Sequence, residues 1–137
     1  MMPLAATLAH ISTTLNNDPG FVRRGRFINL DFRLGIGGEI CYLTIAQGRL
    51  AAITPGPALM RPWCFAIQIE ADAWTQFCQP VPRPGYHDLF AMCKSGDARI
   101  DGDIQPLMAN LRYFKELLAL ARDNELHGLA RESGHGC

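Results

Sequence analysis

Charge is scarce in this chain, and what there is cancels. The 13 basic and 13 acidic residues balance at neutral pH, and charged residues make up only 19% of the 137. Balanced charge removes the general attraction that draws a protein to nucleic acid or to an anionic membrane, so no nucleic-acid partner is expected. One basic cluster, Arg23-Arg24-Gly25-Arg26, remains. It reads first as a solvated connector.

Several other features are missing. No apolar run is long enough to span a bilayer, and the apolar start, Met1 to Ser12, has no basic segment before it. Neither an export signal nor integral membrane association is expected. The five cysteines, at 41, 64, 78, 93 and 137, are odd in number and contain no Cys-x-x-Cys pair. They suit small buried hydrophobes in a reducing cytoplasm better than a disulfide framework. The histidines, 10, 87, 127 and 135, do not supply the three or four convergent donors a metal needs. No metal and no cofactor is expected. Serines 12, 95 and 133 lack a nucleophile-elbow setting, so hydrolase chemistry has no support. Gly35-Ile36-Gly37-Gly38-Glu39 lacks the third glycine of a dinucleotide loop and leads into a strand, which makes it a hairpin turn.

What the chain does have is apolar material, at 48% of residues. That excludes a disordered chain. A domain of this length buries roughly 68–70% of its unfolded surface, enough for a real core and a modest cavity within it. Residues 3–16 carry an apolar stripe of Leu4, Leu8, Ile11 and Leu15, a first helix stopped by Asn16-Asn17-Asp18-Pro19-Gly20. Residues 27–34 alternate cleanly, Ile28, Leu30, Phe32 and Leu34 against Asn29, Asp31 and Arg33, as a half-buried strand does. Residues 39–46 and 49–53 follow after short Gly turns, completing an antiparallel meander. A fourth strand spans 64–70, and a short helix begins at Ala71 with Asp72 as its N-cap. After a proline-rich connector at 79–85, residues 86–94 read as another short helix.

The stretch 95–122 is the most informative. A short strand ends in a Gly102-Asp103 turn, and an amphipathic helix follows with Ile104, Leu107, Met108, Leu111, Phe114, Leu118 and Ala121 on one face. A face this wide closes over something, either a solid core or a cavity. Strands gathered first and helices segregated later argue for an α+β layer fold. We place a single domain at 1–123, with 1–26 its N-terminal helix and connector, and a flexible tail at 124–137.

From Phe27 to Arg122 the chain resembles the sterol carrier protein type two domain. The resemblance rests on the Gln47-Gly48-Arg49 reversal, on Ile67-Gln68-Ile69-Glu70-Ala71-Asp72-Ala73-Trp74 as a strand running into a helix, and on Ile100-Asp101-Gly102-Asp103 before the terminal helix. It implies a five-stranded mixed, mostly antiparallel sheet covered by helices. It also implies an apolar tunnel between sheet and helices that takes a sterol, fatty acid or fatty acyl-CoA. The proline-rich insert departs from the family's minimal pattern, and the tail ends without a peroxisomal targeting tripeptide.

The resemblance points to Phe32, Tyr42, Phe65, Trp74, Phe77, Phe90, Met92, Met108, Leu111 and Phe114 as the cavity lining. Without it, the same set is ordinary core. The expected function is binding of an apolar small molecule by a cytoplasmic lipid carrier, or by an accessory protein of lipid or steroid metabolism. This needs no catalysis and is compatible with a homodimer. The competing readings are an interaction module with a filled core and an apolar docking face, and a small enzyme using Asp31, Arg33 or His87.

Overall fold

The computed structural model describes residues 4–56, 62–79 and 81–132, with side chains as far as Arg122. The chain forms α1 (Leu4–Asn16), α2 (Pro19–Arg24), β1 (Asn29–Ile36), β2 (Glu39–Ala46), β3 (Arg49–Pro55), β4 (Phe65–Ile69), α3 (Ala71–Phe77), α4 (Leu89–Ser95), β5 (Ala98–Gly102), α5 (Gln105–Ala109) and α6 (Leu111–Glu132). The five strands make one sheet in the order β3-β2-β1-β4-β5. All neighbours are antiparallel except β1 and β4, which run parallel. This is the expected mixed α+β sheet. The single parallel pair arises because β4 returns to the free side of β1 after the meander has used the other.

Alternation decides what each sheet face carries. Phe32 pairs with Leu43 and with Phe65, and Leu34 with Cys41 and Ile67, so their side chains share the face that meets α1 and α6. Arg33 pairs with Tyr42 on the opposite face. There the Arg33 Nε is buried without a hydrogen-bond partner among the described residues. The ion pair that Asp31 and Arg33 offer on paper does not form among them.

Polar side chains fix how α1 lies on the sheet. The Leu4 amide donates to Glu39 Oε2 at 2.8 Å, using an N-terminal N–H that the helix itself cannot satisfy. At the other end the Asn16 amide group exchanges two bonds with the Leu50 backbone, at 3.1 and 3.0 Å. Between these ties Leu8, Ile11 and Leu15 are fully buried. The stop signal at 16–20 contains a further helix: Asp18 caps α2 by accepting from the Phe21 amide at 3.2 Å, and Pro19 stands at the helix start.

Other details also differ from the sequence reading. Asp72 lies in the first turn of α3, and the N-cap position belongs to Glu70, which makes no side-chain cap bond. The terminal helix is two helices. Pro106 stands at the start of α5, and the Asn110 side-chain Nδ2 donates to the Pro106 carbonyl at 3.0 Å where α5 ends. The break shifts the phase. Leu107 turns inward, while Ile104 and Met108 are 47% and 49% exposed. Beyond it, Tyr113, Phe114, Leu117, Leu118 and Ala121 form the buried face. The helix continues to Glu132, so the sequence boundary at 123/124 falls inside it, while His135 and Cys137 lie outside the described residues.

Among the described residues no disulfide joins the cysteines: Cys41 and Cys78 are buried, Cys64 and Cys93 half-buried. Burial, with help from a neighbouring carboxylate, pushes the Cys41, Cys64 and Cys93 thiols above their ordinary pKa. A raised pKa lowers the thiolate fraction that reacts. Maleimide labelling of the folded protein, read by mass, should modify Cys64 and Cys93 slowly and leave Cys41 and Cys78 untouched. Equal labelling of Cys78 and Cys93 would contradict the burial pattern, and a native mass showing two disulfides would contradict the absence of disulfides among the described residues.

Candidate functional site

The centre of the sheet–helix seam is filled with rings. Phe114 reaches down from α6 and meets Phe32 and Phe65 edge-on, at centroid distances of 5.5 and 5.3 Å, while those two stack at 5.1 Å. All three are buried to within 1%. Tyr113 extends the set toward Phe21, and its hydroxyl donates to the Gly48 carbonyl at 2.6 Å. Burial pushes that phenol up to about 12.

The ten residues singled out as lining are spread over several parts of the structure. Phe32, Phe65 and Phe114 are the ring cluster just given. Met92 is buried under α4. Tyr42 is buried on the other sheet face. Trp74 and Phe77 stack on each other along α3 at 5.3 Å, and Leu111 is half-buried where α6 begins. Phe90 and Met108 do come together, in an open groove.

That groove has a volume of about 350 Å³ and is walled by Phe90 and Cys93 of α4, Ala98, Arg99 and Ile100 of β5, and Ile104, Leu107 and Met108 around α5. Local chemistry holds each wall. Asp88 caps α4, accepting from the Phe90 amide at 3.4 Å, and Gly96 closes the helix in the left-handed region. β5 is an edge strand laid along β4. Asp103 Oδ1 accepts from the Gln105 amide at 3.1 Å and starts α5. The phase shift at Asn110 leaves Ile104 and Met108 at the mouth. Arg99, the charged wall residue, is tied to Asp101 at 3.0 Å.

A second groove, about 330 Å³, lies under α6. Phe77, Leu89, Leu118 and Ala119 give it apolar walls, and His87, Asp88, Lys115, Glu116 and Arg122 a polar rim. Arg122 donates to the Phe77 carbonyl at 2.6 Å and to the His87 carbonyl at 2.7 Å, with its guanidinium 4.2 Å from the Phe77 ring centroid. It therefore pins both ends of the proline-rich connector to α6. Lys115 Nζ lies 3.2 Å from Asp88 Oδ2 and 5.4 Å from the Phe90 ring centroid. Phe90 belongs to the first groove and Lys115 to the second, so the lysine links a wall of one to the rim of the other.

Lys115 and Arg122 escape a reading of the sequence because cations on an amphipathic helix read as its solvated face. Their spacing of two helical turns, opposite the His87-Asp88 pair, is the available signal. Asp88 acts as cap and ion-pair partner, and His87 contributes a backbone carbonyl. Among the described residues no group of three His, Cys, Asp or Glu could hold a metal, and no helix is long and apolar enough to cross a membrane.

No family model and no curated protein matches the sequence. Solved structures do match. A crystal structure of sterol carrier protein 2 aligns with a TM-score of 0.66 at 16% identity, covering 85% of this chain and 94% of that one. A conserved hypothetical protein from Thermus thermophilus, described as possibly a sterol carrier protein, aligns at 0.65 and 12% identity, covering 90% and 89%. The ubiquinone synthesis protein UbiJ-SCP2 aligns at 0.57 and 18% identity, covering 85% and 93%. At such identities the likeness is one of architecture: its five-stranded mixed sheet with helices gives this chain the sterol carrier protein 2 fold.

Proposed function

We propose that the chain binds an apolar small molecule, a fatty acid, fatty acyl-CoA or sterol-like lipid, and works without catalysis as a carrier or accessory protein of lipid metabolism. The groove between α4, β5 and α5 carries this reading. Its size falls within the roughly 300–1,000 Å³ of small-molecule sites, and its walls are mostly apolar. Each methylene buried there contributes about 0.8 kcal/mol, so a chain can be held with little help from charge. The half-exposed Met108 and Ile104 at the mouth supply side chains that can fold over a guest, Met being adaptable in shape. The names of the structural neighbours, a sterol carrier and a ubiquinone synthesis protein, agree with an apolar cargo. Cysteines that form no disulfide among the described residues suit a reducing cytoplasm.

The same exposed Ile104 and Met108 favour a second reading, docking of a protein partner. One variant separates the two. Met108→Trp adds a ring where the native side chain is half in solvent, so melting should shift little. A fluorescent fatty acid should bind the native protein saturably, with micromolar affinity and little dependence on salt, and bind the variant weakly. No saturable binding by fatty-acid, acyl-CoA or sterol probes would remove the carrier reading and leave the docking one. Binding that Met108→Trp does not change would place the guest elsewhere.

A further inference from the structure

We infer that Lys115 selects the head group of the guest, and that the preferred cargo is a single-chain fatty carboxylate, with Asp88 as a built-in carboxylate that competes for the same ammonium. The inference rests on the reading that the groove beside β5 holds a lipid chain.

Lys115 is a cation on the rim of the second groove, and it lies over the ring of a wall residue of the first. Its Nζ lies 5.4 Å from the centroid of that residue, Phe90. The other charges near it are already committed. Arg122 is bonded to the Phe77 and His87 carbonyls. Glu116 faces Arg24 at 3.2 Å and Arg112 at 3.6 Å. Lys115 meets Asp88, with Oδ2 at 3.2 Å. The resident contact is thus already a carboxylate on an ammonium, next to an aromatic wall. A fatty acid with its chain along Phe90 and Met108 brings a second carboxylate to the same place.

The resident pair is built to be exchanged. The Lys115 and Asp88 side chains are 38% and 27% exposed, and a pair so wet is worth little to stability. Asp88 also has a second role: its Oδ1 caps α4 at the Phe90 amide, whether or not Oδ2 holds Lys115. Losing the lysine to a ligand therefore costs the helix nothing at its N-terminus. A neutral lipid of the same chain length gains the apolar walls but leaves the ion pair as it stands.

Calorimetric titration with laurate and with lauryl alcohol tests this on three proteins: native, Lys115→Met and Asp88→Asn. Met keeps the linear stem of lysine without its charge, and Asn is as good an N-cap as Asp, so both helices are retained. The native protein should bind laurate more tightly than the alcohol. Lys115→Met should weaken laurate about tenfold and leave the alcohol unchanged. Asp88→Asn, with the internal competitor gone, should tighten laurate about threefold and again leave the alcohol unchanged. Equal affinity for acid and alcohol in all three proteins overturns the inference while leaving the groove as the lipid site. A laurate preference that survives Lys115→Met overturns it too, because the head is then held by another group. If neither compound binds the native protein, the inference falls, and the proposed function falls with it only if acyl-CoA and sterol probes also fail to bind.

Discussion

Phe114→Ala is expected to lower the free energy of unfolding by about 3–5 kcal/mol. Phe114 is 1% exposed, and its ring is edge-on to Phe32, Phe65 and Tyr113 within 5.5 Å of each centroid. Truncation removes the transfer energy of a whole ring and the edge-to-face contacts, each worth about 0.5–1.5 kcal/mol beyond its area. β1 and β4 are anchored in the middle of the sheet, so the hole cannot collapse easily. Urea unfolding of the native and variant proteins measures the loss. The size of that loss also bears on the carrier reading. A loss below about 1 kcal/mol would mean that the seam under α6 already has free space, as a tunnel there requires. A full loss, with melting partly restored by a small apolar guest such as benzene, would mean that native Phe114 occupies the space a ligand would need.

How far this picture can be read in the sequence depends on whether local pattern and tertiary geometry agree. The alternation of Ile28, Leu30, Phe32 and Leu34 reports a sheet with one buried face directly, and β1 to β3 follow from it with only their ends displaced. The series from Ile104 to Ala121 has an equally regular spacing, yet it spans a break. The break at Asn110, whose side chain donates to the Pro106 carbonyl, resets the helix phase, and no hydrophobic count detects a change of phase within an unbroken apolar pattern. The spacing therefore puts Met108 on the buried side, whereas it stands at the mouth of a groove, beside Phe90. Asp18-Pro19-Gly20 reads as a stop because a six-residue helix shows no periodicity of its own. The Lys115 and Arg122 contacts depend on where the proline-rich connector lies, which is a tertiary fact. The residues that build the sheet are legible; those that frame the grooves are set by packing between distant segments.

Gly48→Ala should destabilise the protein by about 3 kcal/mol or more, whereas Gly38→Ala, in the preceding hairpin, should be near neutral. Gly48 sits at φ +81° in the Gln47-Gly48 reversal between β2 and β3, with Gln47 also at positive φ. For Ala that left-handed conformation costs about 1–2 kcal/mol. It also has no room. A Cβ there would strike the Val22 carbonyl oxygen and lie 2.7 Å from the Gly25 carbonyl carbon. Both obstacles are backbone, so the hairpin or the end of α2 must move. Movement of Gly48 carries its carbonyl away from the Tyr113 hydroxyl, and with it the contact that ties α6 to the hairpin. At Gly38 a Cβ meets nothing within 4 Å, and φ is not in the left-handed region. The two variants thus share chemistry and hairpin setting and differ in backbone conformation and clearance. Urea midpoints measured side by side give the difference. Equal midpoints would mean that α2 yields without cost, and that the close approach of Gly25 to Gly48 does not help to hold α6 on the sheet.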